Sequence, residues 1–254
     1  MRELSQNYDY YAPIINTIGN WKILGIKDLH DKLELPLSYK TLRNKLLKLE
    51  NGGVVKSTKL HGPAKYVYLS DKGIALTQND RTYEPCDETI VHDVIVGRVV
   101  QDLLKYSKVN SAKLFHQIKE KAICPDAFVL VSNKDKEYKI GIEVELTQKS
   151  RSRVQEKYSE YSNSLDYDYC VYFSHKTKLI EAYQRFLNEM NANVREKVFL
   201  VHSEKLLRKV QDLTSSNCYF DSESIDFEKL FGEKVELPKV IPKDTNHLRT
   251  KGNS

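Results

Sequence analysis

Three carboxylates in one short region have the types and the spacing to do chemistry together. Pro125-Asp126 opens a strand-like apolar run over residues 127–132, and a charged turn follows at 133–137. A second strand-like run, from Lys139, carries Glu143 and Glu145. Side chains alternate along a strand, so these two glutamates share one face, while Ile142, Val144 and Leu146 share the other. If the two runs pair as a hairpin, Asp126 approaches the glutamates. Carboxylates gathered this way repel unless a cation joins them. Hard oxygen donors of this kind suit Mg²⁺ or Mn²⁺. Hairpins with surface glutamates are also common, and on that reading the pair only lines a solvated strand face.

The chain of 254 residues suits one large domain or two modest ones. Its 40% apolar content can fill packed cores, and no apolar run long enough to span a bilayer occurs. The first residues lack the apolar stretch of a secretory signal. Cys86, Cys124, Cys170 and Cys218 are too far apart in sequence for a zinc site and read as reduced thiols, so the expected location is the cytoplasm. The net charge of +5 is unevenly placed. Residues 1–82 hold 13 Lys and Arg against 8 Asp and Glu, whereas the remainder is balanced at 27 against 27. That asymmetry points to an anionic partner for the first third, double-stranded DNA above all.

In that first third the spacing predicts helices over 8–18, 25–33 and 39–50, the last capped by Ser38 and stopped by Asn51-Gly52-Gly53. Two strands follow, at 54–60 and 65–69, joined by a turn at 61–64. Leu37-Ser38, Thr41-Leu42, Leu47-x-Leu49, Gly53-Val54-Val55 and Leu69-Ser70-x-Lys72-Gly73 together resemble a winged helix-turn-helix, over about seventy residues. The resemblance implies that the third helix enters the major groove with Lys40, Thr41, Arg43, Asn44, Lys45 and Lys48. Lys56, Lys59, His61 and Lys65 on the wing would then meet the backbone. Thr41 and Asn44 are the candidates for base reading, and the lysines supply salt-dependent affinity. A solvated basic face, or a protein-binding surface, is the competing interpretation.

A polar stretch near 81–87 reads as a linker between residues 1–80 and a second domain over 88–231, with a polar tail at 232–254. The second domain starts with a long helix from Glu88, on which Glu88 and His92 share a face. Residues 110–123 fit either a helix or an irregular strand. After the hairpin come a helix at 150–165, a strand at 167–173, a helix at 177–190, a strand at 197–201 and a last helix at 203–210. This order predicts an α/β (α+β overall) fold with helices on a mixed central sheet.

With Pro125-Asp126 on one strand and Glu143-x-Glu145 on the next, that order resembles the PD-(D/E)XK nuclease-like superfamily. The resemblance implies a Mg²⁺ or Mn²⁺ site built from Asp126, Glu143 and an acid on the first helix, Glu88 rather than Asp93. Phosphodiester hydrolysis is the implied chemistry. Glu145 stands where the motif has lysine; some members of the superfamily use Glu-x-Glu as it stands, and others recruit a lysine from the following helix, for which Lys149 or Lys157 could serve. Lys149 is the first choice, with Glu145 as a general base or extra ligand. His92, Arg153 and Lys157 are then supporting or phosphate-contacting residues.

Taken together, the winged helix, His92-Asp93, Pro125-Asp126, Glu143-x-Glu145-x-Thr147-x-Lys149-Ser150 and Lys157-x-x-x-Tyr161 resemble the replication-relaxation family of plasmids and other mobile elements. That resemblance implies a DNA-binding protein with an endonuclease-like domain, able to pair as a homodimer and to meet partners in replication, mobilisation or transposition. The alternative is a catalytically inactive DNA-binding regulator or accessory factor, needing no cofactor.

Overall fold

The computed structural model describes residues 8–33, 35–60, 63–77, 87–115, 123–208, 212–221 and 223–235, with side chains from Tyr11 in the first helix and from Thr89 in the helix that opens at Asp87. The order begins α1 (Tyr8–Trp21), β1 (Ile23–Gly25), α2 (Ile26–Lys32), α3 (Tyr39–Asn51), β2 (Val55–Lys59) and β3 (Lys65–Leu69). The three strands form an antiparallel sheet in the order β1-β3-β2. Three helices and a hairpin thus follow in the expected order, with β1 inserted between the first two helices. The Ser38 side chain caps α3 by accepting the Thr41 N–H at 3.1 Å. At the other end Gly53 takes φ 69°, the left-handed turn that glycine adopts without a Cβ penalty. Leu42, Leu46 and Leu49 point from α3 into a core with Ile14, Ile18 and Leu29.

After α4 (Asp71–Ile74), the helix α5 (Asp87–Leu103) leads into a seven-stranded mixed sheet. Its strands are β4 (Val109–Leu114), β5 (Ala127–Asn133), β6 (Lys136–Val144), β7 (Tyr169–Ser174), β8 (Val198–His202), β9 (Asn217–Phe220) and β10 (Glu223–Ile225). They lie in the order β10-β9-β8-β7-β6-β5-β4. β6, β7 and β8 run parallel, and every other neighbouring pair is antiparallel. The parallel steps use α6 (Arg151–Asn163), then α7 (Thr177–Asn188) and α8 (Ala192–Arg195), as crossovers. Alternation sorts the strands between two cores. Val171, Phe173 and Val201 pack on the side of α5, together with Phe227 and Phe231 of α9 (Phe227–Phe231). Cys170, Tyr172, Val198 and Leu200 pack under α6 and α7. The mixed sheet flanked by helices is therefore as the sequence predicts.

Several local expectations change. Residues 110–114 belong to strand β4, antiparallel to β5. The helix expected at 203–210 is instead a run of turns at 204–207. Ser203 N–H is drawn to Ser174 O at 2.9 Å, and so short a segment gains too few bonds to offset helix nucleation. Residues 232–235 are not part of a loose tail. Ser107 N–H donates to Glu233 O at 2.9 Å and Val235 N–H to Lys105 O at 2.7 Å. Lys234 Nζ lies 3.2 Å from Asp102 Oδ1, so the buried Asp102 has the counter-charge such a group requires. Residues 236–254, and 78–86 with most of the expected linker, lie outside the described residues.

The first sheet meets α5 directly. Ile23 and Tyr66 pack on Ile90 and Val94. Arg98 Nη2 donates to Tyr66 OH at 2.7 Å. Among the described residues, no helix is long and apolar enough to cross a membrane.

Candidate active site

Asp126 precedes β5 where the β5–β6 ladder ends at Ala127 opposite Ile142. Its side chain supplies the next acceptor, taking the Val144 N–H on Oδ2 at 2.8 Å. Glu143 sits near the C-terminal end of β6, on the face covered by α6, and is only 3% exposed. Tyr161 OH donates to its Oε1 at 2.5 Å, and Lys157 Nζ lies 2.7 Å from its Oε2. Lys157 and Tyr161 are four apart on α6, so one helical face delivers both. Gly141 lets that face come close: a Cβ there would stand 2.8 Å from Tyr161 Cε1.

Burial pushes the Glu143 carboxyl up to about 7, against the pull of Lys157, and the nearby Asp126 charge pushes the same way. Burial would lower the Lys157 ammonium, but Glu143 outweighs it and raises it. Glu145, just past β6, is also raised by burial, with Lys149 and then Lys157 opposing. Glu143 and Glu145 thus both feel the charges of Asp126 and Lys157.

Of the two candidate lysines, Lys157 is the one in contact with a carboxylate. Lys149 influences Glu145 through charge, and its backbone N–H reaches Tyr183 OH at 3.4 Å. It lies in the connection before α6, whereas Lys157 is carried over β6 by two turns of that helix and makes the carboxylate contact. Arg153, one turn earlier on α6, is exposed.

His92 of α5 reaches the same end of the sheet from the opposite face. Its Nε2 lies 2.9 Å from Val144 O and 3.3 Å from Asp126 Oδ2. Both neighbours are acceptors, so Nε2 carries a proton and donates. Nδ1 stands 3.9 Å from Asp93 Oδ1. Burial alone would lower the imidazole, but the Asp126 and Asp93 carboxylates and the Val144 carbonyl raise it to about 10. In this arrangement Nε2 is taken up by Val144 O and Asp126 Oδ2, so the ring braces the Asp126 carboxylate. Asp93 is itself within 3.6 Å of Lys22 Nζ. The Glu88 side chain lies outside the described residues.

On α3, Lys40, Thr41, Arg43, Asn44 and Lys48 are exposed on the outer face, as are Lys56 and Lys59 on β2. Lys45 is a correction. It is 9% exposed and lies along α1, with Nζ 4.8 Å from the Tyr11 ring centroid. It falls three residues after Leu42 and four before Leu49, which turns it to the apolar side. Lys65 is engaged by Glu50 at 2.8 Å, and Glu50 also takes the Ser57 hydroxyl. His61 lies outside the described residues. The sequence reading gave no role to Tyr161 or Lys22. The Lys157-x-x-x-Tyr161 spacing was the available signal for the first. The second has only a contact between residues far apart in the chain.

Asp126, Glu143 and Glu145 offer the hard oxygens that Mg²⁺ or Mn²⁺ prefers, so the donor set fits such an ion in kind. Yet among the described residues no three His, Cys, Asp or Glu side chains converge to hold one. Both Glu143 oxygens are held by Tyr161 and Lys157. Each of those oxygens keeps a second lone pair, so a cation ligated by Glu143 would share it with these donors.

No family model matches the chain, and no curated protein matches it. Among solved structures, restriction endonuclease FokI is similar at 12% identity over 77% of this chain and 42% of that chain, with TM-score 0.31. FokI bound to DNA is similar at 12% identity over 77% and 43%, with TM-score 0.29. A protein from Vibrio cholerae is similar at 14% identity over 72% and 48%, with TM-score 0.27. The chain thus spans less than half the length of these structures. Likenesses this weak assign it neither an activity nor a partner.

Proposed function

We propose that this chain binds double-stranded DNA through α3 and the β2–β3 hairpin and hydrolyses DNA phosphodiesters at Asp126 and Glu143 with a divalent cation. The observation that carries the proposal is Lys157 Nζ at 2.7 Å from Glu143. It supplies from α6 the ammonium that Glu143-x-Glu145 lacks in sequence. Bound Mg²⁺ or Mn²⁺ would polarise the phosphate and lower the pKa of a water. The chain's own groups have separate tasks. Asp126, held by Val144 and His92, offers a fixed carboxylate. Lys157 offers positive charge beside a phosphate oxygen. Glu145, raised by burial, is a better proton acceptor than an ordinary carboxylate. On this reading residues 1–80 select DNA and the unit from residue 88 acts on it. A plasmid or other mobile element, with its replication or mobilisation proteins, is the corresponding setting.

Supercoiled and linear DNA incubated with Mg²⁺ or Mn²⁺ tests the proposal. Glu143→Ala and Lys157→Met should each reduce cleavage by roughly a hundredfold or more. Cleavage that survives Glu143→Ala overturns it. One observation favours a second reading, a DNA-binding regulator that does not cut: both Glu143 oxygens are already engaged by Tyr161 and Lys157. Retention of duplex DNA without cleavage in either ion would decide for that reading.

A further inference from the structure

A run of alternating charges reaches the candidate site from outside its sheet. Lys22 lies between α1 and β1 with φ 59°, a left-handed conformation uncommon for a residue with a side chain. It is 8% exposed, and a buried ammonium needs a counter-charge. Its Nζ is 3.6 Å from Asp93 Oδ1. The same oxygen is 3.9 Å from His92 Nδ1. The other ring nitrogen is 3.3 Å from Asp126 Oδ2, the oxygen that accepts the Val144 N–H. A second link crosses the same boundary without touching this run: Arg98 to Tyr66 OH, at 2.7 Å.

We infer that Lys22 is a positioning residue for Asp126, acting through Asp93 and His92, so that seating the first sheet on α5 completes the candidate site. Lys22 holds Asp93 against the imidazole. Asp93 holds the ring. The ring then fixes the Asp126 carboxylate where the β5–β6 ladder has run out. A group that only fastened α5 to the first sheet would be equivalent to Arg98. Lys22 differs because its partner leads to a carboxylate of the site. The inference deepens the nuclease reading, since it gives Asp126 a reason to be held.

The test compares full-length Lys22→Met, Lys22→Arg, Asp93→Asn and Arg98→Met by two measurements. Hydrogen exchange at the Val144 amide reports the Asp126 contact whether or not DNA is cut. Losing a largely buried ion pair of this kind corresponds to at least about a tenfold change. Lys22→Met and Asp93→Asn should therefore accelerate Val144 exchange at least about tenfold, Lys22→Arg should restore most of the protection, and Arg98→Met should leave it within roughly twofold. Turnover at saturating DNA should fall with the exchange change, while the Kd for DNA stays constant. Unchanged Val144 exchange in both Lys22→Met and Asp93→Asn overturns the inference. So does an equal response to Arg98→Met, which would make Lys22 a fastener only. If exchange responds as expected but the wild-type chain cuts nothing, the positioning role stands and the nuclease reading falls. Asp93→Asn keeps the shape of the side chain and carries the test should Lys22→Met fail to fold.

Discussion

The pairing of Glu143 with Lys157 and Tyr161 shows what single residues disclose in sequence and what they withhold. The chemistry of Asp126, Glu143 and Glu145 was legible, because residue type and strand alternation do not depend on distant packing. The choice of lysine was not. Lys149 is nearer in sequence, but only the register of α6 over β6 brings Lys157 to 2.7 Å. Lys22 was less legible still, since its contact joins residues separated by three helices and three strands. His92 was visible as a candidate, and its state follows from its neighbours. Its folded pKa of about 10 stands above the ordinary 6.5. A group raised in this way contributes stability that is fully present below about 6.5 and is lost as pH rises through about 10. The wild-type chain should therefore lose denaturant resistance across that window, and His92→Gln should show a flatter profile. Urea midpoints measured from pH 6 to 10 check this, and parallel profiles for the two proteins would sink it.

At the scale of elements, legibility followed length and pattern. The long periodic helices and the β5–β6 hairpin were readable because alternation and capping are local signals. β1, β9 and β10 have three, four and three residues and gain order only from their neighbours in the sheet. The meeting of α6 with β6 depends on one such non-local fit. Gly141 stands two residues before Glu143 on the same face, beneath the Tyr161 ring. In Gly141→Ala the new methyl would lie 2.8 Å from Tyr161 Cε1 and 3.0 Å from its hydroxyl, so the ring must shift. The displaced hydroxyl leaves Glu143 Oε1 without its donor inside a buried site. Overpacking of this kind costs roughly 1–3 kcal/mol. We expect a lower melting temperature and at least about tenfold slower cleavage, since a small displacement of a reacting group has effects of that order or larger. A Gly141→Ala protein with wild-type melting and turnover would show that α6 does not depend on this close approach.

For the whole molecule, the charge asymmetry makes a prediction that burial sharpens. The positive excess belongs to the first third of the sequence, but not every lysine there can serve an anionic partner. Lys45 lies over the Tyr11 ring with little of its side chain exposed, and Lys65 is paired with Glu50. Lys40, Arg43 and Lys48 on α3, with Lys56 and Lys59 on β2, remain on the exposed surface. If these groups meet DNA phosphates, each contact releases counterions, and the logarithm of affinity falls with the logarithm of salt by about 0.9 per contact. Replacing any one of the five with Met should weaken binding to unrelated duplexes alike and make the salt slope shallower by roughly that amount. Lys45→Met should leave the slope unaltered, and Lys65→Met should change it less than Lys59→Met. Fluorescence anisotropy with labelled duplex over a salt series measures all of these. Binding that ignores salt would remove the DNA-binding assignment from this surface. If instead the slope responds to Lys45 as strongly as to Lys48, the Lys45 ammonium would have to leave the Tyr11 ring to reach a phosphate, and the placement of that side chain would be wrong.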